Sequence, residues 1–237
     1  LIRSRGLGDV YKRQVQQSLQ NVLKEKKIDR EVVTLITQTI VDKNDPSIND
    51  PQKFIGRRYG KTEAQSLARQ FNWTIKEQEP GKWRQVVPSP MPQFIEHGRS
   101  IQTLVDNGTI VIASGGGGIP TFWNDDHKLE GLNAVIDKDL SAALLGRVIK
   151  SEELWIITDL DQVCLNFGKS NEQPLLKITL DEAQKYFDEG HFQEGSMGPK
   201  IRAAMYFLKH HGKKVIITSI AGVLGAINGS NGTTITK

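Results

Sequence analysis

The chain has 237 residues, of which 38% are hydrophobic and 24% are charged, and its formal net charge at pH 7 is +4. This length supports one large α/β domain, or one domain with an insertion, and the composition is that of a globular protein. No apolar run approaches the roughly 20 residues of a membrane-spanning helix, so we expect no membrane partner. Residues 1–14 carry four basic side chains against Asp9, which leaves only +1 for the rest of the chain. Because no basic stripe is interleaved with aromatic residues, we expect no nucleic-acid partner either.

The first fourteen residues, LIRSRGLGDVYKRQ, show neither helical nor strand periodicity and lack the apolar core of a signal peptide. The stretch from Leu7 to Gln14 resembles a translated sequencing-adapter read-through. We therefore predict that residues 1–14 are foreign to the fold and that residues 15–237 form the domain.

The next part of the chain contains two helix patterns and three strand patterns. In chain order, the residue pattern predicts a helix over 15–26, a strand over 31–41, a helix over 61–71, and strands over 73–78 and 83–87. Residues 42–60 are polar and rich in turn formers, and prolines interrupt regular structure over 88–92. Residues 42–92 are therefore predicted to leave the main sheet as an excursion.

From residue 98 onward, strand and helix patterns alternate regularly. The predicted elements are a helix over 98–107, a strand over 109–114, a short apolar segment over 133–136, a helix over 139–150, strands over 153–158 and 163–166, helices over 181–189 and 199–211, and strands over 214–218 and 233–236. Such an alternation is typical of a doubly wound α/β fold with a largely parallel sheet. Ligands of these folds bind outside the carboxyl ends of the strands.

A strand pattern over residues 109–114 runs directly into four consecutive glycines. These are Gly115, Gly116, Gly117 and Gly118. Glycine runs lose backbone entropy on folding, so a fold keeps them where φ is positive or where the backbone closely approaches a ligand. Together with Ser114, they predict a cradle of N–H groups for phosphate or another small oxyanion. A flexible linker is the alternative, but Pro120 would stiffen its exit.

Two carboxylates flank one ammonium group in the sequence Asp137-Lys138-Asp139. One interpretation is a helix cap by Asp139 with a solvated Lys138. The other is a cluster in which an aspartate orients catalytic groups and the lysine neutralises phosphate, because phosphoryl transfer depends on positioning and positive charge. Lys200 follows Pro199 at a predicted helix start, where the macrodipole disfavours a cation. An anion bound beside Lys200 would explain its position, and an exposed lysine is the alternative.

Other polar residues allow more than one interpretation. Thr158 and Asp159 end a strand pattern and could hold Mg²⁺ or ribose hydroxyls, or form only a polar turn. Lys53, within the excursion, could reach over a substrate, although a solvated lysine is the simpler interpretation. The histidines lack a coherent metal-ligand spacing, so no metal-ligating residue is assigned. The single Cys164 excludes an internal disulfide and suits a reducing cytoplasm.

Five segments are distinctive in combination. They are Ser114–Pro120, Val135–Asp139, Gly195–Lys200, Trp83–Pro90, and Val41-Asp42 with Pro51–Gly56. Together they resemble the carbamate kinases, within the amino-acid kinase superfamily, and the resemblance covers residues 15–237 in the family's order. It implies a three-layer α/β/α sandwich with a largely parallel sheet. It also implies that residues 42–92 form a small protruding subdomain that lies over the substrate as a lid.

The resemblance implies reversible phosphoryl transfer between carbamoyl phosphate and ADP, giving ATP and carbamate with Mg²⁺. It also implies a cytoplasmic homodimer that acts in arginine and carbamoyl phosphate catabolism. Lys138 and Lys200 match lysines that act on the transferring phosphoryl group, and Asp137 and Asp139 match the acidic flank that holds them. Lys53 matches a lysine of the protruding subdomain that reaches carbamoyl phosphate. The substrate loop matches Ser114, Gly115, Gly116, Gly117 and Gly118, and the nucleotide side matches Thr158, Asp159, Val163, Met197 and Lys200.

Two motifs of the family do not occur in this sequence. The family opens with a strand and a Gly-Gly-Asn phosphate loop, followed by a His-Gly-Asn-Gly loop. We therefore expect a fold that is incomplete at its N-terminus, with exposed sheet edges and little or no activity in the chain as printed. Phe54 and Arg57 also stand beside Lys53 where the family often has prolines.

Two other functions stay open at this point. One is a superfamily kinase that acts on an amino acid or a nucleoside monophosphate. Lys53 and the Trp83–Pro90 segment favour carbamate instead, because such relatives generally lack the protruding subdomain. The other is a non-catalytic binding protein with the same fold.

Overall fold

The computed structural model describes residues 2–192 and 196–237. The helices formed by these residues are α1 (Ile2–Glu25), α2 (Lys61–Phe71), α3 (Gly98–Asp106), α4 (Lys138–Val148), α5 (Leu180–Asp188), α6 (Met197–His210) and α7 (Val223–Ile227). The strands are β1 (Val32–Thr34), β2 (Gln38–Val41), β3 (Lys53–Tyr59), β4 (Thr74–Glu79), β5 (Lys82–Val87), β6 (Pro92–Ile95), β7 (Ile110–Ile112), β8 (Ile119–Trp123), β9 (Leu129–Gly131), β10 (Glu153–Thr158), β11 (Val163–Leu165), β12 (Gln173–Leu175), β13 (Lys177–Thr179), β14 (Lys214–Ser219) and β15 (Thr233–Thr236). A 3₁₀ turn over Pro46–Ile48 precedes β3.

Parallel and antiparallel pairings both occur between these strands. One sheet has the order β10-β14-β15-β13, with β14 parallel to β10 and antiparallel to β15. A second has the order β6-β2-β8-β9, with β2 parallel to β8, and β1 pairs in parallel with β7. The carboxyl ends of β7, β10 and β14 lead into the glycine run, Asp159 and a glycine-rich loop. The α/β class predicted from the alternating pattern is therefore present.

Helices α4 and α6 lie side by side and run in the same direction. Their first turns meet where Lys200 contacts Asp139, and further along Arg147 donates a hydrogen bond to Tyr206. The large apolar cluster of the fold includes the fully buried Phe207 of α6, and α6 also packs against β14 and β10. Burial of this apolar surface fixes the two helix starts relative to each other, which matters because both carry lysines of the site.

The predicted strand over residues 31–41 is two strands, β1 and β2. Leu35, just beyond β1, still donates its N–H to the carbonyl of Ile112 at the end of β7, whereas the Thr37 carbonyl accepts the N–H of Ile119 at the start of β8. The chain thus changes partner strands within three residues, and Thr37 becomes fully buried at the crossing. Periodicity cannot detect such a change, because both halves are β-branched and apolar.

Residues 53–87 form a subdomain of their own, in which an antiparallel sheet of order β3-β5-β4 packs against α2. The expected strand pair around the turn at Gly81 is present as β4 and β5. The third strand, β3, falls within residues 42–60, which are polar and were expected to be turns. Its pairing with β5 stabilises it, because β propensity depends on cross-strand partners more than on the residues themselves.

The structure corrects the sequence analysis on residues 1–14. Helix α1 begins at Ile2 instead of Val15, so the expectation that these residues have no helical structure is wrong. Arginine, leucine, lysine and glutamine favour helix, and no proline interrupts the segment ahead of the predicted helix. Among its later residues, Val10 and Tyr11 are 45% and 62% exposed. That the segment is foreign to the fold stays a prediction.

Candidate active site

Three lysines from separate elements converge on the first turn of α4. Lys53 comes from the start of β3, Lys138 from the start of α4, and Lys200 from the first turn of α6. Asp137 and Asp139 hold them by ion pairs. Both carboxylates are at least nine-tenths buried as residues. Burial weakens the screening of the ion pairs by water, so the cluster is a strongly polar site at the edge of the core.

Asp137 caps α4 and binds the lysine of the subdomain at the same time. Its Oδ1 accepts the N–H groups of Asp139 and Leu140, at 3.0 and 3.2 Å. Its Oδ2 accepts a hydrogen bond from Lys53 Nζ at 2.9 Å. Burial raises the pKa of Asp137, but Lys53 and the two N–H donors outweigh burial and hold that pKa below its usual value. The carboxylate is therefore ionised at neutral pH.

Asp139 holds the other two lysines. Its Oδ2 lies 3.1 Å from Lys138 Nζ and 3.2 Å from Lys200 Nζ. The Lys200 side chain is 13% exposed and that of Lys138 is 56% exposed, so only Lys200 is confined by its surroundings. The resemblance implied that both aspartates flank Lys138 and Lys200; in the structure Asp139 does so, and Asp137 contacts Lys53. The helix cap that was predicted for Asp139 is made by Asp137 instead.

The glycine run packs directly against the start of α4. Gly117 has a φ of +123°, and a Cβ placed there would lie 2.5 Å from the carbonyl oxygen of Ile136, the residue before Asp137. Thr39 Oγ1 donates to the Gly117 carbonyl at 2.8 Å, and Ser114 donates its N–H to Thr37 Oγ1 at 2.9 Å. The run is thus an ordered loop beside the lysine cluster, and the linker interpretation is wrong.

Ser114 has the left-handed φ of +58°, and its hydroxyl is buried with no hydrogen-bond partner among the described residues. A buried hydroxyl without a partner is unfavourable, so a ligand or a water molecule is expected at this position. Sequence patterns drew attention to the glycines but missed Thr37 and Thr39, which fix the loop. A pair of threonines in a β-branched run carries no signal that separates it from ordinary strand residues.

The residues predicted for the nucleotide lie at the carboxyl end of β10 and nearby. Thr158 Oγ1 donates to Asp159 Oδ1 at 2.9 Å. This hydrogen bond, the backbone N–H and the charge of Lys200 hold the pKa of Asp159 below its usual value, although burial acts in the opposite direction. Lys200 therefore lies within electrostatic reach of both the α4 cluster and the end of β10. Met197 and Val163 are buried, and Val163 donates its N–H to Thr233 Oγ1 at 2.8 Å.

A second polar network holds the loop that follows β14. Ser219 Oγ donates to Asp161 and accepts the N–H of Gly222, the latter at 2.9 Å. Thr218, also near the end of β14, has a buried hydroxyl with no hydrogen-bond partner in the part of the chain that the structure describes. The acidic turn after β10 and the glycine-rich loop after β14 are far apart in the chain. Their contact depends on the parallel pairing of β10 with β14.

A cavity of about 1290 Å³ separates the subdomain from α6. The site residues in its wall are Lys53, Asp137, Ser196 and Pro199. Gly195, part of the segment before α6 that the sequence analysis singled out, lies outside the described residues. The cavity gives a small ligand access to the lysine cluster from the side of the subdomain.

In the part of the chain that the structure describes, neither a membrane-spanning helix nor a metal-binding cluster is found. Within residues 2–192 and 196–237, no helix combines the length and the apolarity needed to cross a bilayer. In those same ranges, no three or more histidine, cysteine or acidic side chains are grouped so that they could hold a metal ion.

The fold is that of an amino acid kinase: the model of the amino acid kinase family matches residues 2–219. A carbamate kinase from Pyrococcus horikoshii is 43% identical over 222 residues, which are 94% of this chain and 70% of that protein. Carbamate kinase 2 from Staphylococcus epidermidis is 44% identical over 223 residues, 94% of this chain and 72% of that protein.

A solved structure of a carbamate kinase from Giardia lamblia, bound to AMP-PNP, has a TM-score of 0.86 and 39% identity over 97% of this chain and 73% of that chain. The chain belongs to the carbamate kinase family. The family and the fold class expected from the sequence are thereby confirmed.

Proposed function

We propose that this protein transfers a phosphoryl group between carbamoyl phosphate and ADP, giving ATP and carbamate. The observation that carries the proposal is the convergence of Lys53, Lys138 and Lys200 beside the glycine loop, in a chain similar to carbamate kinases. Carbamoyl phosphate is a small dianion, and three ammonium groups with a loop of N–H donors complement it.

In the proposed step, an oxygen of the ADP β-phosphate attacks the phosphorus of carbamoyl phosphate. The bond from phosphorus to the carbamate oxygen breaks, and carbamate leaves with the electron pair. Negative charge spreads over the phosphoryl oxygens in the transition state, so catalysis requires positioning and fixed positive charge. Lys138 and Lys200 supply that charge, and Asp139 keeps both ammonium groups in place. Lys53 binds the carbamoyl end of the substrate from the subdomain.

The nucleotide is proposed to bind at the ends of β10 and β14, next to Thr158 and Asp159. The position of Lys200 supports this, because it lies within electrostatic reach of Asp159 while contacting Asp139. Mg²⁺ fits this site as a companion of the nucleotide, with Asp159 as the carboxylate in reach, since such ions are held mainly by phosphates and one or two carboxylates. When bound, the ion neutralises phosphate charge.

The wider setting is proposed on the strength of the family alone. The protein would act in the cytoplasm, as a homodimer, in the breakdown of carbamoyl phosphate derived from arginine. The single Cys164 is compatible with a reducing compartment.

An ATP-formation assay with carbamoyl phosphate and MgADP tests the proposal on the chain as printed. The proposal requires ATP formation, at a rate that Lys200→Ala lowers by about 100-fold or more. Because little or no activity is expected from the sequence for the chain as printed, the same assay also tests that expectation. Phosphorylation of an amino acid or a nucleoside monophosphate, without any ATP from carbamoyl phosphate, would overturn the proposal. Binding of ADP with no turnover of any of these substrates would support the non-catalytic alternative.

A further inference from the structure

Asp45 contacts both of the chain segments that connect the 53–87 subdomain to the main body. Its Oδ1 accepts the N–H of Ser47 at 2.9 Å and so caps the 3₁₀ turn of the incoming segment. Its Oδ2 accepts the N–H of Met91 at 3.0 Å, in the outgoing segment. One side chain thus ties the two connections together beside the subdomain.

We propose that Asp45 is a positioning residue of the substrate site: by tying the two connections of the subdomain together, it determines where Lys53 stands over the bound carbamoyl phosphate. This inference rests on the proposed function for the identity of the ligand. Asp45 acts through Lys53 and does not touch the substrate.

Among the described residues, contacts near these connections join Lys53 and Pro88 to the chain at the start of α4. Lys53 binds Asp137, and the carbonyl of Pro88 accepts the N–H of Val135 at 3.0 Å. Lys53 pairs in register with Val87, the residue before Pro88, so both contacts lie at the same end of the β3–β5 pair. On its other side the subdomain faces α6 across the open cavity. The position of Lys53 therefore depends on the connections, and Asp45 holds them.

The charge of Asp45 argues against a direct role in binding substrate. Burial raises its pKa, but the hydrogen bonds from Ser47 and from the Met91 N–H outweigh burial and hold that pKa below its usual value. Asp45 is therefore an anion in the wall of the cavity that also contains Lys53. An anion there repels a phosphate dianion, whereas as an acceptor of backbone N–H groups it forms strong, charge-assisted hydrogen bonds.

Kinetic constants of two Asp45 variants and one control distinguish the link between the two connections from the cap on the 3₁₀ turn. Asp45→Ala removes both hydrogen bonds, whereas Asp45→Ser keeps a capping oxygen for the Ser47 N–H but is too short to reach Met91. We expect both variants to raise the KM for carbamoyl phosphate about tenfold or more and to leave the KM for ADP within about twofold. Asp50→Ala is the matched control, since Asp50 is exposed on the same segment and contacts the side chains of Lys76 and Gln52. Its two KM values should stay within about twofold of the wild type.

A double-variant cycle tests whether Asp45 acts through Lys53. If it does, adding Asp45→Ala to Lys53→Ala raises the KM for carbamoyl phosphate by less than about twofold, because the lysine to be positioned is gone. Additive effects of the two substitutions would overturn the inference. An equal rise of both KM values in Asp45→Ala alone would also overturn it, since that pattern indicates general structural damage.

Hydrogen exchange tests the tie without any turnover, so its failure is distinguishable from failure of the proposed function. In Asp45→Ala we expect faster amide exchange over residues 46–59 and 88–95, with unchanged exchange in α6; Asp50→Ala should match the wild type. Unchanged exchange over the two connections in Asp45→Ala would overturn the inference even if the wild type makes ATP. Faster exchange in a protein that makes no ATP would support the role of Asp45 in holding the two connections, and it would reject carbamoyl phosphate as the ligand of the site.

Discussion

At the scale of single residues, the two aspartates at the start of α4 bind different lysines. Asp137 combines a helix cap with an ion pair to Lys53, and Asp139 places Lys138 and Lys200 around one carboxylate oxygen. The subdomain lysine thus pairs with its own carboxylate, whereas the two helix lysines share one. In the proposed reaction we expect the largest effect from Lys200, because its side chain is only 13% exposed and it acts on both Asp139 and Asp159.

Lys200→Ala should lower turnover by about 100-fold to 1,000-fold, as removal of one transition-state charge contact does elsewhere. The measurement is kcat for ATP formation from carbamoyl phosphate and MgADP. Lys213→Ala is a suitable control, because Lys213 is exposed and pairs with Glu152 outside the site. A kcat within threefold of the wild type for Lys200→Ala would contradict the assigned role.

Asp137→Asn should make stability less dependent on pH in the acid range. Asparagine still caps α4, so the substitution mainly removes the ion pair to Lys53, at about 1 kcal/mol for this partly exposed pair. The pKa of Asp137 is lowered by folding, so its contribution is complete above the ordinary aspartate pKa of about 3.9 and is lost as pH falls through its lower folded value. Urea unfolding at pH 7, 5 and 3 measures this.

The difference in unfolding free energy between wild type and Asp137→Asn should therefore shrink between pH 5 and pH 3. Asp29→Asn, at an exposed position away from the site, provides the comparison. A difference that stays constant from pH 7 to pH 3 would show that Asp137 contributes no pH-dependent stability.

At the scale of structural elements, the glycine loop and the start of α4 form one unit. Gly117 has no room for a side chain against Ile136, whereas a Cβ at Gly116 would meet no atom of the described residues within 4 Å. The four glycines thus differ in what the fold requires of them, although they are identical in the sequence. Positive φ and close backbone contact coincide at Gly117, so a larger residue there must displace the segment that carries Asp137.

Gly117→Ala should destabilise the protein by about 2–4 kcal/mol and strongly reduce activity, because the left-handed φ and the clash with the Ile136 carbonyl act together. Gly116→Ala should change stability by no more than about 0.5 kcal/mol. Chemical unfolding and ATP formation are measured for both variants. Equal stability of the two would mean that the loop lies farther from α4 than the structure places it.

At the scale of the whole molecule, the candidate site lies where three parts of the fold meet. The 53–87 subdomain brings Lys53, the α4–α6 pair brings Lys138 and Lys200, and the glycine loop follows β7. Tight apolar packing fixes α4 against α6, whereas the subdomain is held by its connections and by polar contacts. In the proposed function, the packed α4–α6 pair carries the phosphoryl site, and the subdomain carries the lysine that reaches the substrate.

Deleting residues 1–14 tests whether the first half of α1 belongs to this assembly. We expect the unfolding free energy to change by less than about 1 kcal/mol, since Val10 and Tyr11 are exposed and surface residues contribute little. Lys12 of this segment lies beside the glycine loop, since its Cε would be 3.0 Å from a Cβ placed at Gly115. A loss of more than about 2 kcal/mol, or weaker binding of ADP, would show that the segment is part of the fold.

The sequence by itself determined the class of fold, most of the helices, and the residue types of the site. Periodicity and capping residues are local, so α2, α4, α5 and α6 could be predicted from neighbouring residues alone. The glycine run and the Asp137–Asp139 motif stood out because their composition is unusual for a strand end or a helix start.

Only the tertiary structure decided which groups pair. That Asp137 binds Lys53, that Asp139 holds two lysines, and that Asp45 ties two segments all depend on residues far apart in the chain. The same holds for β3 and for the break between β1 and β2, which exist because of their partner strands. Such pairings follow from packing across the whole molecule, and no local pattern records them.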